Sequence, residues 1–167
     1  MLQRVQSIFM TIAALAMILM LFFPIWEKSD TNFEAELREY AIMDTFELRY
    51  EQHNTQSGEI QLLGSQPTFI LSAAAIVAAL VMLFSISRFK NRMTQVKLNA
   101  LFSLITAATL VGMYVYISKA NVLFEPQAQG TFLLGFYLPI VAMLNNFLAN
   151  RFIRKDEQLV KSMDRLR

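Results

Sequence analysis

Four long apolar runs divide the chain, and three polar stretches of unequal length separate them. The first run is Val5 to Trp26. Between Ile8 and Phe23 it has no charge and only Thr11 as a polar residue. With its flanks it provides about 20 residues, the length of helix that crosses a ~30 Å hydrocarbon core. Pro67 to Ile86, Leu98 to Ile117 and Thr131 to Asn150 repeat the pattern. The runs predict crossing helices at 5–26, 67–86, 98–117 and 131–150. Phe22, Phe23 and Trp26 read as an interfacial aromatic belt, with Pro24 ending helix regularity. Pro67 suits a helix start, and Pro139 predicts a kink that neighbouring helices can tolerate. A cleaved signal peptide competes for the first run, since Ala14-Leu15-Ala16 resembles a cleavage site. Cutting there would expose MILMLFFPIW, so a retained anchor is the expectation.

The polar stretches carry different patterns. From Glu27 to Gln66, Phe46, Leu48 and Tyr50 alternate with Glu47, Arg49 and Glu51, which is strand periodicity. Glu59 to Leu62 repeats it after a turn signal at Asn54 to Gly58. Residues 27–66 are expected to form an extracytoplasmic β lobe of two to four strands, with 35–43 open between strand and helix. Ser87 to Gln95 is a short basic turn. Ser118 to Gly130 is a second loop, in which 121–124 offers one further strand. Arg151 opens a tail that reads as an amphipathic helix over 151–167. The predicted fold is therefore an all-α membrane protein, a single domain over 1–167. It is an antiparallel four-helix transmembrane bundle with a small β lobe and a cytoplasmic tail helix. A soluble bundle is disfavoured because each run is apolar all round.

Charge orients this arrangement. Four crossings place Arg4, Arg88, Lys90, Arg92, Lys97, Arg151, Arg154, Lys155, Lys161, Arg165 and Arg167 on one side, with only Asp156, Glu157 and Asp164 as acids. The other side holds Lys28, Arg38, Arg49 and Lys119 among the remaining acids. Lys and Arg in short loops mark the cytoplasmic side. Both termini are thus expected inside a bacterial inner membrane, with 27–66 in the periplasm.

Composition narrows the chemistry. With 0 Cys there is no disulfide, thiolate site or lipidation signal, and 1 His rules out a His-rich metal centre. The runs contain no Asp, Glu, Lys, Arg or His, which argues against ion-coupled transport. Small residues recur at four-residue spacing at Ala75/Ala79, Ser103/Ala107 and Ala108/Gly112, read as close packing within the bundle. Asn145, Asn146 and Asn150 cluster late in the fourth run, and an amide in lipid seeks an interhelical partner. On the tail, Phe152, Ile153, Leu159, Val160, Met163 and Leu166 share one arc, opposite Arg151, Arg154, Lys155, Lys161 and Arg165. That stripe suits anionic lipid or a protein partner. Asp156, inside the apolar arc, tilts the choice toward protein. Nothing supplies a nucleophile–base pair, a carboxylate dyad or a nucleic-acid stacking platform. No enzyme activity, cofactor, metal or nucleic-acid partner is expected.

The two ends, MLQRVQSIF and LANRFIRKDEQLVKSMDRLR, resemble a Bacteroidota inner-membrane family catalogued as domain-of-unknown-function family 4293. The resemblance implies four spans and carries no activity or site residues. The layout of a long first and short second outer loop is also similar to claudin-like proteins, by architecture only, since the chain lacks their cysteines. The expected function is a non-catalytic accessory, adaptor or assembly subunit of a membrane complex, in contact with the bilayer and other membrane proteins. The alternative is a transporter or flippase accessory handling a lipid or small amphiphile.

Overall fold

The first apolar run is shared between a helix and a strand. In the computed structural model, which describes residues 2–29, 37–54, 56–89, 91–123 and 130–164, α1 covers Leu2–Leu19. Its end tightens into shorter bonds, Leu21 N–H to Ile18 O and Phe22 N–H to Leu19 O. Pro24 biases the residue before it toward an extended backbone. The chain then enters β1 (Trp26–Ser29). β2 (Leu37–Met43), β3 (Glu47–Asn54) and β4 (Ile60–Pro67) follow. Asp44 Oδ1 closes the β2–β3 turn by accepting from the Phe46 and Glu47 N–H groups at 2.7 and 2.9 Å. Asn54 Oδ1 does the same for Gln56 and Ser57 before β4. Gly58 there has φ +70, a conformation a side chain would strain.

α2 (Phe69–Ser87) and α3 (Arg92–Leu123) form a helical hairpin. Asn91 caps α3 by accepting from the Thr94 N–H at 3.2 Å. A two-residue β5 (Thr131–Phe132) precedes α4 (Leu134–Asp164). The five strands form one antiparallel sheet in the order β4-β3-β2-β1-β5.

Register explains which face of the sheet is buried. Residues opposite one another across strands share a face. Trp26 pairs with Met43 and with Phe132, Lys28 with Ala41, Met43 with Leu48, and Ala41 with Tyr50. Of these, Trp26, Lys28, Ala41, Met43 and Leu48 are buried, so this face covers one end of the helices. Burial here pushes the Tyr50 phenol above its ordinary range. The opposite face carries Glu27, Arg49, Glu51 and His53. A register shift between Tyr50 and Glu51 leaves Leu63 without a ladder partner, a β-bulge.

α1 and α3 run toward the sheet, and α2 and α4 run away from it. The packed pairs are α1–α4, α1–α2, α2–α3 and α3–α4, a ring of antiparallel neighbours. Small side chains let the backbones approach: Ala13, Ala14 and Ala16 on α1, Ala75, Ala78 and Ala79 on α2, and Ala142 and Ala149 on α4 are buried. Met10, Met17, Met20, Met82 and Met113 fill the remaining irregular space. Lys28, buried by the sheet, donates to the Asn121 carbonyl at 3.2 Å. A cation is thereby placed at the C-terminal end of α3, where the helix dipole favours it.

The expected all-α, four-helix transmembrane bundle is not what the chain forms. The helices are joined by a five-stranded antiparallel sheet, so the chain is not all-α. Among the described residues, two helical segments, Phe69–Ser87 and Arg92–Asn121, are long and apolar enough to cross a membrane. The apolar part of α1, Val5–Leu19, is shorter. The reason is that apolar content alone does not separate a crossing helix from one that ends on a packed sheet. The first run surrenders Phe22 to Trp26 to a turn and a strand, and the fourth surrenders Thr131 and Phe132 to β5. Trp26 is thus not a belt residue: it is 1% exposed, whereas Phe22 is 75% exposed. The strand anticipated at 121–124 is absent from the described part, Asn121 to Leu123, which is helical.

Candidate functional site

The helix end remote from the sheet holds a layer of buried polar side chains. Ser85 Oγ donates to Asn99 Oδ1 at 2.7 Å, which joins α2 to α3. Asn99 Nδ2 donates to Asn150 Oδ1 at 2.9 Å, which joins α3 to α4. Asn146 Nδ2 reaches back to the Asn99 carbonyl at 2.9 Å and to Ser103 Oγ at 2.7 Å. Gln95 Nε2 lies 3.4 Å from Met10 Sδ, which brings α1 into the same layer. Ser85, Gln95, Asn99 and Asn146 are buried. In an apolar surround an amide without a partner is costly, so a chain of such bonds sets helix rotation and depth.

Of the asparagines singled out in the sequence, Asn146 and Asn150 both reach α3. Asn145 instead donates to the Val141 carbonyl of its own helix. Their partners Asn99 and Ser103 were not anticipated, nor were Ser85 and Gln95 in the same layer. A signal was present: Gln95, Asn99 and Ser103 recur every four residues on one helical face.

Beyond this layer α4 continues without a break, so 151–164 extends the same helix rather than forming a separate one. Phe152 stacks on Phe9 of α1 with ring centroids 5.5 Å apart and planes 9° from parallel. Ile153 is buried. The first turn of the predicted contact stripe is therefore occupied within the chain. Asp156, the acid inside that stripe, pairs with Arg92 of α3 at 2.8 Å. The side chains of Leu159, Val160 and Met163, and the whole of Leu166, lie outside the described residues. On the other side of α4, Phe147, Asn150, Arg151, Arg154, Lys155 and Gln158 line an open cleft of ≈ 570 Å³.

The outer face of the sheet carries a second charged group. Arg49 lies 3.3 Å from Asp44, 3.4 Å from Glu47 and 3.9 Å from Glu51. His53 Nε2 is 3.1 Å from Glu51 Oε2, and its ring is 4.4 Å from that of Tyr40. The ion pairs run along β3 and the turn before it, and only the Tyr40–His53 contact crosses from β2 to β3. On a partly solvated surface such pairs are each worth about 0–1 kcal/mol.

Residues 2–166 match the family described as Domain of unknown function (DUF4293). The chain belongs to that family. No curated protein matches it in sequence. The match takes in α1, the sheet and α4 past Arg151. The DUF4293 domain is accordingly the whole helix-and-sheet unit, with the polar layer and the basic end of α4 inside it.

Proposed function

We propose that this DUF4293 protein is a non-catalytic integral membrane protein, an accessory or assembly subunit that uses its sheet to engage another membrane protein. The observation that carries the reading is β4. Among the described residues it is an edge of the sheet, far longer than the two-residue β5 at the other edge, and its Ile60, Leu62 and Leu63 are each more than half exposed. An edge strand with unpaired backbone groups and apolar side chains is a template for strand addition by a partner. A photo-crosslinking amino acid at Gln61 on β4 is expected to give a discrete adduct with a different protein in cells. The same group at Glu27 on β1, away from the edge, is expected to give little. Equal adducts at both positions, or adducts only with a second copy of the chain, would sink the adaptor reading.

A membrane setting is supported by the exterior of the helices. Phe69, Leu80 and Phe84 on α2, Leu104, Val111 and Tyr114 on α3, and Leu144 and Phe147 on α4 are all exposed. Water would not favour an apolar belt of this extent, whereas lipid would. We place the chain in a bacterial inner membrane, crossed by at least the α2–α3 hairpin. Residues 26–67 then lie in the periplasm, and the Arg88–Arg92 turn and both termini in the cytoplasm, following the bias of Lys and Arg. Because the chain has 0 Cys, single cysteines test this directly. Ser57→Cys is expected to react with an impermeant maleimide in cells whose outer membrane is opened, and Ser87→Cys only after the inner membrane is breached. The reverse labelling would refute the orientation.

The lipid-transport reading calls for a groove between helices beside Pro139 or the asparagines. Pro139 and Asn146 are buried, and the described lining of the open cleft at Asn150 comes from α4 alone rather than from between helices, so the adaptor reading is the one we favour.

A further inference from the structure

The cleft on α4 has a graded lining that the adaptor reading does not use. Phe147, exposed at its inner end, faces out beside Leu144 and Leu148, which are also exposed. One turn on come Asn150 and Arg151, and then Arg154, Lys155 and Gln158. From Phe147 to Gln158 the helix rises about 16 Å. Over that distance the lining passes from aromatic through amide to cation.

No acid lines the cleft. Of the two acids between Lys155 and Gln158, Asp156 is drawn toward α3 by its 2.8 Å pair with Arg92, and Glu157 is not part of the lining. Among the described residues no acid pairs with Arg151, Arg154 or Lys155. Asn99 engages Asn150 through Oδ1, which leaves the Asn150 Nδ2 as that side chain's remaining donor. Guanidinium forks match phosphate oxygens in pairs. The cleft sits where the apolar belt of α4 gives way to charge, the depth at which headgroups lie.

We propose that this cleft binds the headgroup of an anionic phospholipid from the leaflet opposite the sheet. The phosphate is held by Arg151 and Arg154, with Lys155 and Asn150 contributing, and the start of an acyl chain lies along Phe147. The inference rests on the membrane placement above. Carbonate extraction of membranes tests that placement separately: a chain released to the supernatant overturns the membrane reading itself.

The test of the cleft uses the full chain in detergent, with lipid retention read by native mass spectrometry. The probes are phosphatidylglycerol, phosphatidylcholine and inorganic phosphate. Phosphatidylglycerol is expected to be retained at least tenfold better than phosphatidylcholine. R151Q/R154Q/K155Q is expected to lose roughly tenfold to a hundredfold of that preference. R151K/R154K, which keeps charge without the fork, should fall in between. R88Q/K97Q, which removes as many bases less one elsewhere at the same end, should retain it. Equal retention of the two lipids overturns the proposal, as does an equal loss in R88Q/K97Q, which would mean a diffuse positive surface. Displacement of the lipid by millimolar phosphate would assign the cleft to a soluble anion instead.

Discussion

Trp26→Ala is expected to destabilise the protein by about 3–5 kcal/mol, the range for deleting a fully buried large aromatic side chain. Trp26 is 1% exposed and stands between Met43 and Phe132 on the inner face of the sheet. Gly130 packs on its ring so closely that a Cβ there would fall 2.2 Å from the indole. The tryptophan thus joins three segments far apart in sequence: the exit from α1, the end of β2, and the approach to α4. Gly130 has no side chain to fill the space, and β1 is held on both sides by ladder bonds. Phe22→Ala, four residues earlier and 75% exposed, is expected to change stability by less than about 0.5 kcal/mol. Denaturant titration in detergent micelles compares the two. An interfacial belt would make them alike, whereas a sheet anchor separates them by several kcal/mol.

Asn99→Ala is expected to cost about 2–3 kcal/mol and to loosen α4 from α3. Its side chain is the only described link that bonds both Ser85 on α2 and Asn150 on α4. Removing it leaves Ser85 Oγ with the longer 3.3 Å contact to the Gln95 carbonyl and Asn150 Oδ1 without its donor. Individual interhelical bonds in lipid average well below what an isolated amide suggests, about 0.6 kcal/mol. The larger figure expected here comes from the cavity left at the fully buried Asn99 together with weakened bonding of Ser85 and Asn150 at once. Asn145→Ala, whose amide bonds only its own helix, should be nearly silent. In a double-mutant cycle, Asn99→Ala with Asn150→Ala should show coupling of about 0.5–2 kcal/mol, and with Asn145→Ala none above error.

The same comparison shows how far pattern alone reaches. Period-two alternation around Leu48 located β3, whose Leu48 enters the core while its neighbours Glu47 and Arg49 stay partly exposed. The turn signals at Asn54 and Gly58 are the residues that close the β3–β4 hairpin. The asparagine cluster pointed to helix contacts, yet its partners on α3 sit in another run, and pairing across the chain leaves no mark on local periodicity. The tail shows the opposite effect. Its apolar arc is visible by projection, but projection does not say that Phe9 already covers Phe152 or that Arg92 already holds Asp156.

The linear order of residues specifies what depends on near neighbours. It set out the positions of the apolar runs, the strand alternation between them, the turns, and the concentration of Lys and Arg at one end. Where helices stop and what each run packs against depend on long-range contacts. Trp26 belongs to a strand because Met43 and Phe132 flank it there, and α1 ends at Leu19 because the sheet takes up the residues beyond. An apolar residue is equally content against lipid or against a protein core, so its composition cannot say which it meets. The choice falls to contacts between segments more than a hundred residues apart, and these turned four expected crossings into, among the described residues, two apolar helices of spanning length, two companion helices and a five-stranded cap.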